Sequence, residues 1–183
     1  MLKEPHPGRV KTRLGADIGM VPAAWWFRHQ TRALIRRMRN PRWDLVLAVS
    51  PDREGLESRI WPRDLPRWPQ GTGDLGCRMA RMMRYARGPV CVIGGDVPAI
   101  EPHHVVQAFT QLARHDAVIG PAPDGGYWLI GVNRVCSGLF NDVRWSTEYA
   151  MADTVASMGD VRIAKAAVLQ DVDEVSDLVA MKR

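Results

Sequence analysis

Val90-Cys91-Val92-Ile93-Gly94-Gly95-Asp96-Val97-Pro98-Ala99-Ile100 is the stretch whose reading decides the fold of this chain. Four apolar residues bounded by glycine and proline read as a buried strand. That strand delivers Asp96 at its carboxyl end, where ligands sit in open α/β sheets. Gly94 and Gly95 let another group come close to the backbone, and Pro98 fixes the chain as it leaves. A carboxylate so placed suits a divalent cation, which takes oxygen ligands. The competing reading is a strand-to-helix turn in which Asp96 only caps the helix that starts near Pro102.

The pattern alternates on both sides of this stretch. Residues 44–50, Asp-Leu-Val-Leu-Ala-Val-Ser, form a second apolar run of the kind buried on both faces. Helices are predicted over 22–38, where Ala23, Phe27, Leu34 and Met38 share a face, over 74–86, and over 101–114. This alternation argues for a parallel, three-layered sheet. Residues 116–132 read as two strands about a Pro-Asp-Gly-Gly turn. The first of them is expected beside the Asp96 strand, with Asp124 and Tyr127 near the same sheet edge. A helix ending at about Met158 follows Trp145-Ser146-Thr147, with Ser146 as its cap and Gly159 as its stop. Short strands are predicted at 161–164 and 167–169, and a helix after Asp173. Residues 51–73 read as a long loop, with one helical turn before it, whose tryptophans either stack on a base or, the favoured reading, pin the loop to the surface.

Residues 3–15 carry two prolines and two glycines and read as irregular. They also carry Lys3, Arg9, Lys11 and Arg13, the composition of a phosphate-gripping loop ahead of a helix. Asp171 and Asp173 follow a strand and precede a helix. They either complement that helix dipole or supply further carboxylates for the cation at Asp96.

The 183 residues are expected to form one domain, 1–183, able to bury about two thirds of its unfolded surface. No apolar run reaches membrane-spanning length, and no signal-peptide core stands at the start. Cys77, Cys91 and Cys136 are odd in number and widely spaced, which suggests neither a disulfide framework nor a zinc site, and the chain reads as cytoplasmic. The net charge of +5 comes from dispersed arginines. The one dense cluster, Arg32, Arg36, Arg37, Arg39 and Arg42, reads as a solvated helix face, so neither nucleic acid nor membrane is the expected partner.

Six motifs then occur in order: Lys3-x-Pro5-x-Pro7-Gly8-x-Val10-Lys11-Thr12-Arg13-Leu14, Gly73-Asp74-Leu75-Gly76-x-Arg78-Met79, Gly95-Asp96-x-Pro98, Gly120-Pro121-Ala122-x-Asp124-Gly125-Gly126-Tyr127-x-Leu129-Ile130-Gly131, Trp145-Ser146-Thr147 and Asp171-Val172-Asp173. Together they resemble a bacterial family of uncharacterised glycosyltransferase-A-like proteins, the nucleotide-diphospho-sugar transferases that include arsenosugar-biosynthesis glycosyltransferases. The fold is similar to that of the guanylyltransferases of molybdenum-cofactor and phospholactate metabolism.

The resemblance implies a three-layer α/β/α, Rossmann-like nucleotide-diphospho-sugar transferase fold with a mostly parallel mixed sheet. It implies phosphate and nucleotide binding by Lys3, Gly8, Lys11, Arg13, Gly73 and Asp74, and Mg2+ or Mn2+ held by Asp96 with Asp171 or Asp173. Asp124, Gly125, Gly126 and Tyr127 become the substrate-side group, and Asp96, Lys11 and Asp124 the catalytic set. The expected partners are a nucleotide or nucleotide-sugar donor and a small-molecule acceptor. Glycosyl transfer leads, nucleotidyl transfer from a triphosphate is the alternative, and a nucleotide-binding protein without turnover is the third reading. Only Met1 and Leu2 precede Lys3 where the family has a full apolar strand, so the first strand is expected to be truncated. An edge left short of its strand is also where two copies could pair as a homodimer.

Overall fold

The computed structural model describes residues 1–180. In chain order the elements are β1 (Leu2–Lys3), α1 (Thr12–Ile18), α2 (Met20–Arg37), β2 (Leu47–Ser50), α3 (Asp52–Glu57), β3 (Arg67–Pro69), α4 (Leu75–Tyr85), β4 (Val90–Ile93), α5 (Pro102–Leu112), β5 (Ala117–Pro121), β6 (Tyr127–Val132), α6 (Ala150–Ser157), β7 (Ile163–Lys165) and α7 (Val175–Ala180). The architecture is the mixed α/β one expected. Contacts group the chain into two compact units, one of Met1–Pro69, Gly95–Ile100 and the segment from Gln170 onward, the other of Gln70–Gly94 and Glu101–Leu169.

In the first unit β1, β2 and β3 pair in that order, all parallel. The N-terminal strand expected to be truncated is present as two residues, with Leu2 opposite Val49 and Lys3 opposite Ser50. Leu2, Ile35, Leu47, Val49 and Trp61 form a buried cluster, and Leu45, Ile60 and Leu65 pack against it. Each such side chain contributes about 1.5–3 kcal/mol when fully removed from water. Helix α2 starts two residues before Pro22, which therefore sits in the first turn, where its missing N–H costs nothing. Its buried residues Ala23, Phe27, Thr31, Leu34 and Ile35 recur at helical spacing.

Two expectations fail in this unit. Residues 12–15 are not irregular but belong to α1, because the segment's prolines end at Pro7 and its single glycine after Gly8, Gly15, is tolerated within a helix. Residues 51–73 are not a long loop, since they hold α3 and β3. The organiser there is Arg67. Its Nη1 donates to the carbonyls of Gly55, Leu56 and Ser58, and its Nη2 to those of Trp61 and Pro62. One guanidinium thus satisfies the end of α3 and the turn beyond it.

In the second unit the order is β4-β6-β5-β7, with β6 antiparallel to both neighbours and β7 parallel to β5. The strand beside β4 is therefore β6 rather than β5, a correction to the expected order. The Pro123–Gly126 turn folds the chain back as a hairpin, and the all-apolar β6 takes the position with a partner on each side. Tyr127 starts β6 at the end of the sheet where β4 finishes, as the register Ile93 to Leu129 requires. Ser146 does not cap α6. It stands at φ 61, the N-cap is Tyr149, and the Tyr149 N–H donates to Thr147 Oγ1. Residues 167–169 form no strand; Leu169 keeps a single backbone bond, its N–H donating to the Pro121 carbonyl.

Replacing Arg67 by Met should cost about 2–4 kcal/mol, because it strands several carbonyls served by one charged donor. Urea unfolding of the two proteins measures this. A loss of about 0.5 kcal/mol or less, typical of an ordinary surface substitution, would contradict the role.

Candidate functional site

Three acidic side chains of the first unit converge on one point. Asp96, Asp171 and Asp173 each offer a carboxylate oxygen, and these atoms all lie within 4.8 Å of one another. Local structure explains why. In the extended stretch Asp171-Val172-Asp173 the middle side chain is fully buried, so alternation turns the two flanking carboxylates away from the core together. The Val172 N–H donates to the Asp96 carbonyl at 3.4 Å, which ties this stretch to the Asp96 loop.

Helix α2 holds that loop from below. Thr31 Oγ1, itself fully buried, donates to the Gly95 carbonyl at 3.0 Å. Arg37 Nη2 donates to the Pro98 carbonyl at 2.6 Å. Gly95 lets Leu2 pack closely on this loop, since a Cβ there would stand 2.8 Å from Leu2 Cδ2. Val97 and Ile100 bury their side chains and anchor the exit. The capping alternative for Asp96 falls away: Glu101 is the N-cap of α5, and its N–H donates to His104 Nδ1.

Lys11 completes the group. Its Nζ lies 2.7 Å from Asp96 Oδ2 and 2.6 Å from Asp173 Oδ1, and the side chain is only 5% exposed. Next to it Val10 packs with Ala24 and Phe27, which fixes the loop on α2. Lys11 stands at φ 46, ψ 49 as the N-cap of α1. A lysine in this left-handed conformation is strained by about 1–3 kcal/mol and persists only where its surroundings impose it. Burial works to lower the Lys11 pKa, but the charge of Asp96 and the hydrogen bonds to Asp173 and Asp96 outweigh it, so the pKa is raised and the ammonium stays charged. Arg13 Nη1 is 3.7 Å from Asp173 and remains largely exposed. All the donors are carboxylate oxygens, half-buried and close enough to converge. That set fits a cation that takes oxygen ligands, such as Mg2+ or Mn2+.

Other residues singled out by sequence lie elsewhere on the chain. Lys3 is exposed in β1, and Gly8, at φ 76, has nothing within 4 Å of where a Cβ would stand. Arg9 pairs with Glu54 at 3.8 Å. In the second unit Asp74 caps α4 by accepting from the Cys77 N–H at 2.7 Å, which lowers its pKa, and Gly73 precedes it at φ 101. Asp124 Oδ1 accepts from the Gly126 N–H at 2.9 Å, shaping the hairpin turn. Gly125 cannot be replaced without displacing the backbone carbonyl of Glu148, which lies 2.1 Å from a Cβ built there. The Tyr127 hydroxyl is 3.3 Å from Thr154 Oγ1, and burial raises its pKa. Each of these residues has a conformational task beside any chemical one.

The comparisons with known proteins bear on the family and the fold. A model of the family described as "Uncharacterized protein conserved in bacteria (DUF2064)" matches residues 33–147. A crystal structure from Desulfovibrio desulfuricans G20, that of a "putative nucleotide-diphospho-sugar transferase", is 31% identical, covers 100% of this chain and 84% of its own, and superposes with a TM-score of 0.89. Two mycobacterial structures share the fold alone. Rv0371c from Mycobacterium tuberculosis H37Rv is 16% identical over 85% of this chain and 82% of its own with a TM-score of 0.53, and its homolog from Mycobacterium sp. strain JC1 is 15% identical over 85% and 80% with a TM-score of 0.55. No curated protein matches the chain in sequence.

One element near the Trp145-Ser146-Thr147 motif escaped sequence reading. Arg144 grips Asp153 through Nε at 2.8 Å and Nη2 at 2.9 Å, and its guanidinium lies 4.0 Å from the Tyr149 ring centre. Hydrogen bonds from Arg144 pull the Asp153 pKa down from 3.8 to about 2. A depressed carboxylate pKa gives stability that is present above the unfolded value and is lost as pH falls through the folded one. Asp153→Asn should therefore lower the melting temperature at neutral pH, with the difference from wild type closing between pH 4 and pH 2. A difference that persists unchanged at pH 2 would contradict the pairing.

Proposed function

The chain belongs to the DUF2064 family, and from that premise we propose that it is a metal-dependent transferase acting on a nucleotide-activated donor, with a nucleoside-diphosphate sugar as the leading substrate. One observation carries the reading: three carboxylates and a buried lysine meet at a single point in the first unit. The name borne by the 31% identical relative points the same way.

Asp96, Asp171 and Asp173 would hold the cation. When bound, Mg2+ or Mn2+ supplies positive charge to the phosphate oxygens as the leaving group departs. Lys11 and Arg13 stand beside these carboxylates and contribute charge to the same oxygens. The open backbone at Gly8 leaves room for phosphate against the loop. In glycosyl transfer the acceptor hydroxyl oxygen bonds to the anomeric carbon, and the bond from that carbon to the phosphate oxygen breaks. The nucleoside diphosphate leaves with the electron pair, and the hydroxyl proton passes to a base. Asp124, exposed at the β5–β6 turn, is the carboxylate we assign to the acceptor side, with Gly125, Gly126 and Tyr127 shaping that turn.

Nucleotidyl transfer is the second reading, favoured by the four cations Lys3, Arg9, Lys11 and Arg13 within the N-terminal segment. Three of them already face acidic partners, Arg9 with Glu54, Lys11 with Asp96 and Asp173, and Arg13 with Asp173.

Incubating the protein with Mn2+ and a panel of nucleotide sugars should release nucleoside diphosphate. Asp96→Asn should reduce that release by about 10²-fold or more. Pyrophosphate released from a nucleoside triphosphate instead would establish nucleotidyl transfer. Nucleotide binding without turnover of either donor class would leave a binding protein and defeat the proposal.

A further inference from the structure

Lys11 stands where a cation would. Its Nζ contacts Asp96 and Asp173, two of the three carboxylates whose oxygens converge within 4.8 Å. An ammonium and a divalent ion on the same two carboxylates repel each other at a few ångströms and compete for the carboxylates' negative charge. We infer that Lys11 is a built-in placeholder: alone it neutralises the acidic group, and an arriving metal ion displaces it toward the donor's phosphates. This rests on the cation site proposed above.

Three observations support the device. First, the lysine is 5% exposed, so its ammonium has lost most of its water and depends on Asp96 and Asp173 to make burial tolerable. Leaving them is costly unless another anion takes their place, and a donor phosphate is such an anion. Second, the backbone around Lys11 is fixed independently of the two contacts its ammonium makes. Val10 is buried before Lys11 and α1 begins after it, whereas the four-carbon stem can swing its head without moving either. Third, Arg13 reaches Asp173 only at 3.7 Å and is 69% exposed, so the neighbouring cation can yield without a comparable loss.

Metal and donor are then coupled through Lys11. Metal alone must break two close contacts and leave a buried ammonium without a partner. Metal with a diphosphate gives that ammonium a new partner. Lys11 is in this sense a positioning residue for the cation as well as a phosphate ligand.

Mn2+ binding to the full chain, followed by the electron paramagnetic resonance of free Mn2+, tests the inference in wild type, Lys11→Met, Lys11→Gln and Asp96→Asn, each with and without UDP or GDP. Both Lys11 variants should bind Mn2+ alone more tightly than wild type, on the order of tenfold within the range of about 5–150-fold usual for coupled sites. The gain in Mn2+ affinity that a diphosphate gives wild type should shrink in both. Loss of a nearby positive charge raises cation affinity by itself, so the readout that singles out the placeholder is the smaller gain from diphosphate. Equal or weaker Mn2+ binding by the Lys11 variants, with binding still abolished by Asp96→Asn, would overturn the placeholder and leave the cation site standing. Mn2+ binding indifferent to Asp96→Asn would overturn both.

Discussion

The contact of the Lys11 ammonium with Asp96 and Asp173 is the constraint on which the rest of the first unit depends. Three segments far apart in sequence meet there: the loop before α1, the loop after β4, and the stretch before α7. Without the cation the carboxylates would repel one another. Without the carboxylates a charged lysine could not be buried at 5% exposure. The electrostatics close the unit around one point.

Helix α2 is the platform for that point. Its buried face takes Phe27 and Ala24 to Val10, Thr31 to the Gly95 carbonyl and Ile35 to the β1–β2 core. Arg37, at the end of the same helix, reaches the Pro98 carbonyl. A single rigid element thus sets both the lysine loop and the aspartate loop, which is how short loops keep a charged group in register. The two-residue β1 is sufficient for this purpose. Leu2 is buried beside Val49 and lies against Gly95, so the strand's packing role survives its brevity.

Much of this was legible in the sequence, for local reasons. An apolar run that ends in Gly-Gly-Asp-x-Pro announces a strand end with an aspartate, and Asp-Val-Asp places two acids on one side of a buried valine. What could not be read depends on partners distant in the chain. The position of β6 between β4 and β5 is decided by which strand can be buried from both edges, and the turn signal at Asp124-Gly125 is silent on that. Arg67 looks like any other arginine until five carbonyls of an earlier segment are folded around it. Ser146 reads as a helix cap, yet the φ of 61 it adopts moves the cap to Tyr149 and the side-chain acceptor to Thr147. The pairing of Lys11 with Asp173, 162 residues later, is of the same kind. Sequence marks both as candidates for phosphate and metal, and folding alone sets them against each other.

The most direct measurement of the central claim is the anomalous scattering of Mn2+ in a crystal of the protein grown with a nucleoside diphosphate. The account requires a single strong peak bounded by carboxylate oxygens of Asp96 and of the Asp171–Asp173 stretch, with Lys11 Nζ turned away onto a phosphate oxygen. A peak lying elsewhere, or a Lys11 ammonium still bridging Asp96 and Asp173 with the metal present, would contradict it.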